Sequence, residues 1–193
     1  MRLFVAVEVD GSVLAAAEQT ANDLRRRLGS AVRPKWVAAA NMHVTVRFIG
    51  HVAEERVPAL FEAIRHPLEI APFEVVLGGC GAFPPHGAPH AFWIGLREGV
   101  SSLRQMHDEF NRRLLPLGFE PETRPYSAHL TLARVKDAPR GSGAIAREAV
   151  RAVRPITARC RVSYATVFQS KLSPHGPKYE RVLTVNLRTS DTL

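Results

Sequence analysis

The chain has 193 residues, an apolar fraction of 46% and a formal net charge of +8 that comes mostly from arginine. Its length suits one domain of ordinary size or two small lobes, and no apolar run is long enough to span a bilayer. The basic excess favours an anionic partner such as RNA, a nucleotide or a membrane surface, although Arg25, Arg26, Arg27, Arg112 and Arg113 fall on helix patterns and read as solvent-facing.

The opening MRLFVAVEVDG alternates and ends in Asp-Gly, so it reads as a first strand rather than a signal peptide. Asp10 or Ser12 can cap the following helix, in which Leu14, Ala17, Ala21, Leu24 and Leu28 keep the 3.6-residue period. A strand at about 42–49 ends at Gly50, and a second helix presents Val57, Leu60, Phe61 and Ile64 on one face. A strand at about 73–77 is expected to be broken by Gly78, Gly79 and Gly81. After the loop FPPHGAPH come a strand at about 91–96, a helix at about 100–115, and a strand at about 128–135. A short helix ending near Val153, strands at about 156–162 and 164–171, the loop SPHGPK and a last strand at about 179–187 complete the order.

That order repeats. Both halves, roughly 1–88 and 89–193, read strand, long helix, strand, short helix, strand. The expected fold is therefore α+β: a single domain of two lobes related by a pseudo-twofold axis. Each lobe would be an antiparallel sheet with helices on its outer face, and a central groove would run between the sheets.

The third element of each half carries a His-x-Thr-x motif: His43-Val44-Thr45-Val46 and His129-Leu130-Thr131-Leu132. Side chains at i and i+2 share one face of a strand, so each motif presents an imidazole beside a hydroxyl. One such pair means little, because His and Thr both suit a half-buried strand. Two copies at equivalent points of a duplication suggest two histidines facing each other across the groove. One imidazole could then act as base and the other as acid, and Thr45 and Thr131 could hold phosphate oxygens.

Arg134 lies five residues after His129, an odd offset that reaches the groove only at a strand end or after a bulge. Arg47, four after His43, has the right parity but reads equally well as a surface residue. His86, His90 and His175 read as exposed loop histidines, and His107 as a satisfied residue of a helix interface. No metal-ligand cluster, P-loop or Rossmann turn is present, so neither metal nor cofactor is expected. Cys80 and Cys160 lie far apart and read as reduced thiols of a cytoplasmic protein.

With these residues in hand, the chain resembles the 2H phosphoesterase superfamily, and within it the RNA 2′,3′-cyclic phosphodiesterases, also called 2′-5′ RNA ligases. The resemblance covers nearly the whole chain. It rests on MRLFVAVEV, on Trp36 with Asn41 to Thr45 and Phe48-Ile49-Gly50, and on Phe92 to Leu96. It rests further on Pro125 to Arg134, and on Phe168-Gln169-Ser170 with Gly176 and Tyr179. The resemblance implies metal-independent opening of a 2′,3′-cyclic phosphate at an RNA end to a 2′-phosphate, with reversible 2′-5′ joining in some members. It also implies His43 and His129 as catalytic residues and Thr45, Thr131 and Arg134 as phosphate contacts; the protein is expected to be a monomer. One position departs: Phe4 is followed by Val5, where the family often has a second aromatic. Two other readings stand beside this one: a cyclic phosphodiesterase of small nucleotides or ADP-ribose cyclic phosphate, and a non-catalytic RNA-binding module.

Overall fold

The computed structural model describes residues 1–154, 156–174 and 176–189, so His175 lies outside the described residues. Strand β1 (Arg2–Glu8) leads into helix α1 (Gly11–Leu28). Of the two candidate caps, Asp10 serves: its carboxylate accepts the Ser12 and Val13 amides, each at 3.0 Å, and satisfies donors that a helix start leaves without partners. Val13, Ala17, Leu24 and Leu28 form the buried stripe of α1.

A short strand β2 (Lys35–Trp36) precedes β3 (His43–His51), then helix α2 (Val57–Ile64) and strand β4 (Phe73–Phe83). Here the structure corrects the expectation. The glycines after residue 77 do not end β4; they let it bulge and continue. Register with the next strand, β5 (Ala91–Glu98), slips between Leu77 and Cys80, and Gly79 takes a φ of 73°. A Cβ on Gly81 would lie 2.1 Å from the Trp93 ring, so the strand passes that indole only because residue 81 has no side chain.

Helix α3 (Val100–Leu114), strand β6 (His129–Arg134), helix α4 (Ser142–Ala152) and strands β7 (Arg159–Val162), β8 (Tyr164–Ser173) and β9 (Gly176–Asn186) follow. Strand β9 begins earlier than the Pro and Gly residues suggest, because its pairing with β8 continues to Ser173 opposite Gly176. Ser173, Gly176, Pro177 and Lys178 of that expected loop therefore belong to the strands of a long hairpin.

The strands form one antiparallel sheet in the order β7-β4-β5-β6-β3-β1-β8-β9, with β2 beside β6. Its centre is its weakest seam: β3 and β6 share one register pair, Val44 opposite Leu130. On one side lie β7, β4, β5 and β6 with β2, on the other β3, β1, β8 and β9, and these are the two lobes. Each sequence half gives strands to the other lobe, since β4 joins β5 and β2 joins β6, while β8 joins β1 and carries β9 with it. Leu3, Val5 and Val7 of β1 pack with Val44, Val46, Leu130 and Leu132 and with the helices in the main core. Phe4, Ala6 and Phe168 form a separate cluster on the opposite face of β1. The period of two thus divides core from groove.

Candidate active site

Val44 and Leu130 are fully buried, while His43, Thr45, His129 and Thr131 are half-buried on the other face. Because Val44 and Leu130 are the pair that joins the lobes, the two motifs meet at the seam. All four motif side chains and Arg134 line one cavity of about 310 Å³.

The two imidazoles are held alike. His43 Nδ1–H donates to the Asn41 carbonyl and His129 Nδ1–H to the Ser127 carbonyl, both at 2.8 Å. A carbonyl can only accept, so Nδ1 carries the proton and Nε2 is the free nitrogen of each neutral ring. Phe4 lies 4.9 Å from the His43 ring and Tyr179 meets it edge-on at 5.3 Å. Phe83 meets the His129 ring edge-on at 5.0 Å, with Trp93 at 6.1 Å.

These surroundings disfavour the charged form. Burial pushes His43 down to about 4 from 6.5, with Arg134 and His129 adding to the effect; the Asn41 carbonyl and Glu8 oppose it. Burial also lowers His129, again with help from Arg134 and against the Ser127 carbonyl. Both rings are therefore neutral in the free protein near pH 7.

The positions after the motifs are set by a pair of equivalent bulges. Against β1, Thr45 faces Ala6 but Arg47 faces Val5, which leaves Val46 as an extra residue. Against β5, Thr131 faces Trp93 but Ala133 faces Phe92, which leaves Leu132 extra. An extra residue inverts the alternation. Arg134 thereby reaches the cavity, the condition its odd offset required, and it is also the last residue of β6. The same inversion corrects both readings of Arg47. It is neither in the groove nor on the surface but 4% exposed, donating to the Phe48, Phe119 and Glu120 carbonyls. Phe48 takes the place in the cavity that parity gave to Arg47.

Val5 is wholly buried on the core side, so the missing aromatic there leaves the groove face unchanged; Phe4 is the aromatic beside His43. His107 is the satisfied interface residue expected of it: its Nδ1–H donates to the Val46 carbonyl at 2.7 Å and its other ring nitrogen accepts from Asn111. His86 is exposed, whereas His90, also exposed, borders a larger cavity of about 620 Å³ on the His129 side. A third cavity of about 470 Å³ flanks His43 and includes Arg2, Phe4 and Ser170. Phe48, Arg124 and Tyr179 line the central cavity as well. Phe48 and Tyr179 stood in the family pattern, but nothing in the local sequence marked Arg124.

Among the described residues no group of three or more His, Cys, Asp or Glu is placed to hold a metal ion, and no helix is long and apolar enough to cross a membrane. Cys80 and Cys160 are free thiols, both raised by burial, Cys80 to about 11. Such thiols are poor nucleophiles.

Comparison with known proteins bears on the family and the fold. The family described as the 2′-5′ RNA ligase superfamily matches residues 13–171. An RNA 2′,3′-cyclic phosphodiesterase of Archaeoglobus fulgidus is 35% identical over 136 residues, covering 70% of this chain and 73% of that protein. Its counterpart in Aeropyrum pernix is 33% identical over 156 residues, covering 81% of this chain and 88% of that one. Among solved structures, a Thermus thermophilus protein superposes with a TM-score of 0.79 at 26% identity, over 98% of this chain and 100% of its own. The chain belongs to the 2′-5′ RNA ligase superfamily.

Proposed function

We propose that this protein is an RNA 2′,3′-cyclic phosphodiesterase that opens a terminal cyclic phosphate to a 2′-phosphate without a metal. One observation carries the reading: both histidines, both threonines and Arg134 line a single small cavity. In-line attack puts the entering and leaving oxygens on opposite sides of phosphorus. Water attacks phosphorus, the bond to the 3′ oxygen breaks, and the 2′ bond survives. One imidazole Nε2 takes the water proton, and the other, protonated, gives its proton to the departing 3′ oxygen. The Thr45 and Thr131 hydroxyls donate to the non-bridging oxygens, and Arg134 offsets the charge that builds on them.

The depressed basicity of both rings fits this cycle. Each is a free base before substrate arrives. A bound phosphate then supplies the negative charge that lets one ring hold a proton. A 5′-hydroxyl entering in place of water yields a 2′-5′ linkage by the same steps, which accounts for reversible joining.

The flanking cavities of about 620 and 470 Å³ give room for nucleosides on both sides of the phosphate. They favour an RNA end over a mononucleotide or ADP-ribose cyclic phosphate as the substrate. The intact pair of motifs favours an enzyme over a binding module. We place the protein in the cytoplasm as a monomer, in keeping with its two free thiols.

The test is incubation with an RNA oligomer ending in a 2′,3′-cyclic phosphate, with chelator present, followed by mapping of the product. A 2′-phosphate is expected. A 3′-phosphate, or no product without an added divalent ion, rules the reading out.

A further inference from the structure

Past the Val44–Leu130 pair the two motif strands part, and main-chain acceptors at the parting need donors from elsewhere. On β6 the carbonyl of the extra residue, Leu132, accepts the Val37 amide at 2.9 Å, a main-chain bond that extends the β2–β6 pairing. On β3 the equivalent carbonyl, that of Val46, accepts from His107 Nδ1–H at 2.7 Å. The neighbouring Thr45 carbonyl accepts the Tyr126 hydroxyl at 3.0 Å. His107 and Tyr126 stack on each other, ring centres 4.6 Å apart and planes 17° from parallel. Asn111 Nδ2 donates to the remaining nitrogen of His107 at 2.9 Å and keeps that ring in place. One motif is therefore fixed by a strand, and the other by two aromatic side chains from the second half of the chain. His107 is only 8% exposed, and the chemistry above has no use for it.

We propose that His107 and Tyr126 are positioning residues for the first motif. They hold the main chain at Thr45 and at the Val46 bulge, which fixes where Thr45 sits beside the phosphate cavity and brings Phe48 there after it. Neither touches a reacting atom; both act through Thr45. A loosened bulge would misplace a phosphate donor without removing it, and small misplacements of such donors slow the chemical step. For its kinetic readout the proposal rests on the phosphodiesterase reading; its structural readout does not.

Three variants separate the effects. Tyr126→Phe keeps the stacked ring and removes one donor. His107→Leu keeps bulk without a donor, and His107→Asn keeps a donor near the Nδ1 position. In the free protein, amide hydrogen exchange at residues 45–48 should speed up in Tyr126→Phe and His107→Leu, while residues 129–132 stay as in the wild type. On a cyclic-phosphate RNA oligomer both variants should lower kcat about tenfold, the rate equivalent of one net hydrogen bond. His107→Asn should recover kcat to within about threefold. In a Thr45→Ala background, Tyr126→Phe should add less than about twofold, because two residues acting through one contact are not additive.

Unchanged exchange at 45–48, or a Tyr126→Phe effect carried in full into Thr45→Ala, overturns the proposal. If His107→Leu fails to fold, Tyr126→Phe and His107→Asn still decide it. If the exchange pattern holds while the wild-type protein turns over no cyclic phosphate, the phosphodiesterase reading fails and the positioning role stands.

Discussion

Phe48 and Arg134 occupy equivalent places in the two halves of the fold: each lies five residues after a motif histidine and two after the extra residue of a bulge, and each reaches the same cavity. The duplication thus brings two different side chains to one point of a near-symmetric site. An aromatic ring, 52% exposed, stands on one side and a guanidinium on the other. Charge compensation for a phosphate comes from the second half alone, and the first half offers a flat apolar surface. A symmetric fold can in this way hold an asymmetric substrate in one orientation.

Arg134→Ala should therefore lower kcat/KM by about 10²–10³-fold, the scale of losing one donor aimed at developing charge. Phe48→Ala should act chiefly on KM, by about tenfold, since it removes contact area rather than charge. Steady-state kinetics on a cyclic-phosphate oligomer measures both. Equal effects of the two changes on kcat would contradict the division of labour.

His43→Ala and His129→Ala should each cut turnover by at least about 10²-fold, the usual worth of a proton-transfer group. The double variant should be much less impaired than the product of the two, because the imidazoles work as a unit. Near-normal turnover in either single variant would end the two-histidine mechanism.

Both imidazoles are less basic in the free protein than the ordinary 6.5. The kcat/KM profile reports the free enzyme, in which one ring must hold a proton while the other has none. It should be bell-shaped with its optimum on the acid side of 6.5. The kcat profile, which reports the complex, should lie at higher pH because bound phosphate favours the protonated ring. Calorimetry in buffers of different ionisation enthalpy should then show proton uptake when a 2′-phosphate oligomer binds at pH 7. Proton release would refute the scheme.

The same depression bears on stability. Below pH 6.5 the unfolded chain protonates His43, while the folded protein resists until about pH 4. The unfolded state binds more protons in that window, so stability falls as the pH drops through it. The loss attributable to His43 is at most about 3.5 kcal/mol, at about 1.4 kcal/mol per pH unit. Denaturant titrations across the window should show a shallower decline for His43→Leu than for the wild type. Parallel declines would mean that His43 titrates in the folded protein as it does in solution.

The parts of the site that follow from local geometry could be read in the sequence. The i, i+2 spacing put His43 with Thr45 and His129 with Thr131, and the repeat of element order put the motifs in equivalent strands. What escaped depended on long-range pairing. Strict alternation sent Arg47 toward the groove and Arg134 away from it. Only the register of β3 against β1, and of β6 against β5, reveals the extra residues that reverse both assignments. Gly78, Gly79 and Gly81 carried the ordinary signal of a strand end, yet here they let a strand bulge past Trp93. The crossing of β4 and β8 between lobes had no local signature, because it is a choice of neighbour rather than of conformation.

That crossing sets how the groove can admit its substrate. With β4 from the first half bonded beside β5, and β8 from the second half bonded beside β1, the halves are folded through each other like crossed arms. Swinging one half away from the other as a rigid jaw would strip one of these strands from its ladder. The lobes therefore have no hinge along the sequence midpoint. Access falls to the rim instead: the 118–128 segment, the Pro-rich turn before β5, and Leu172 and Pro177 of the β8–β9 pair. On the phosphodiesterase reading, an RNA end would reach the two histidines between these edges, with both ladders kept whole.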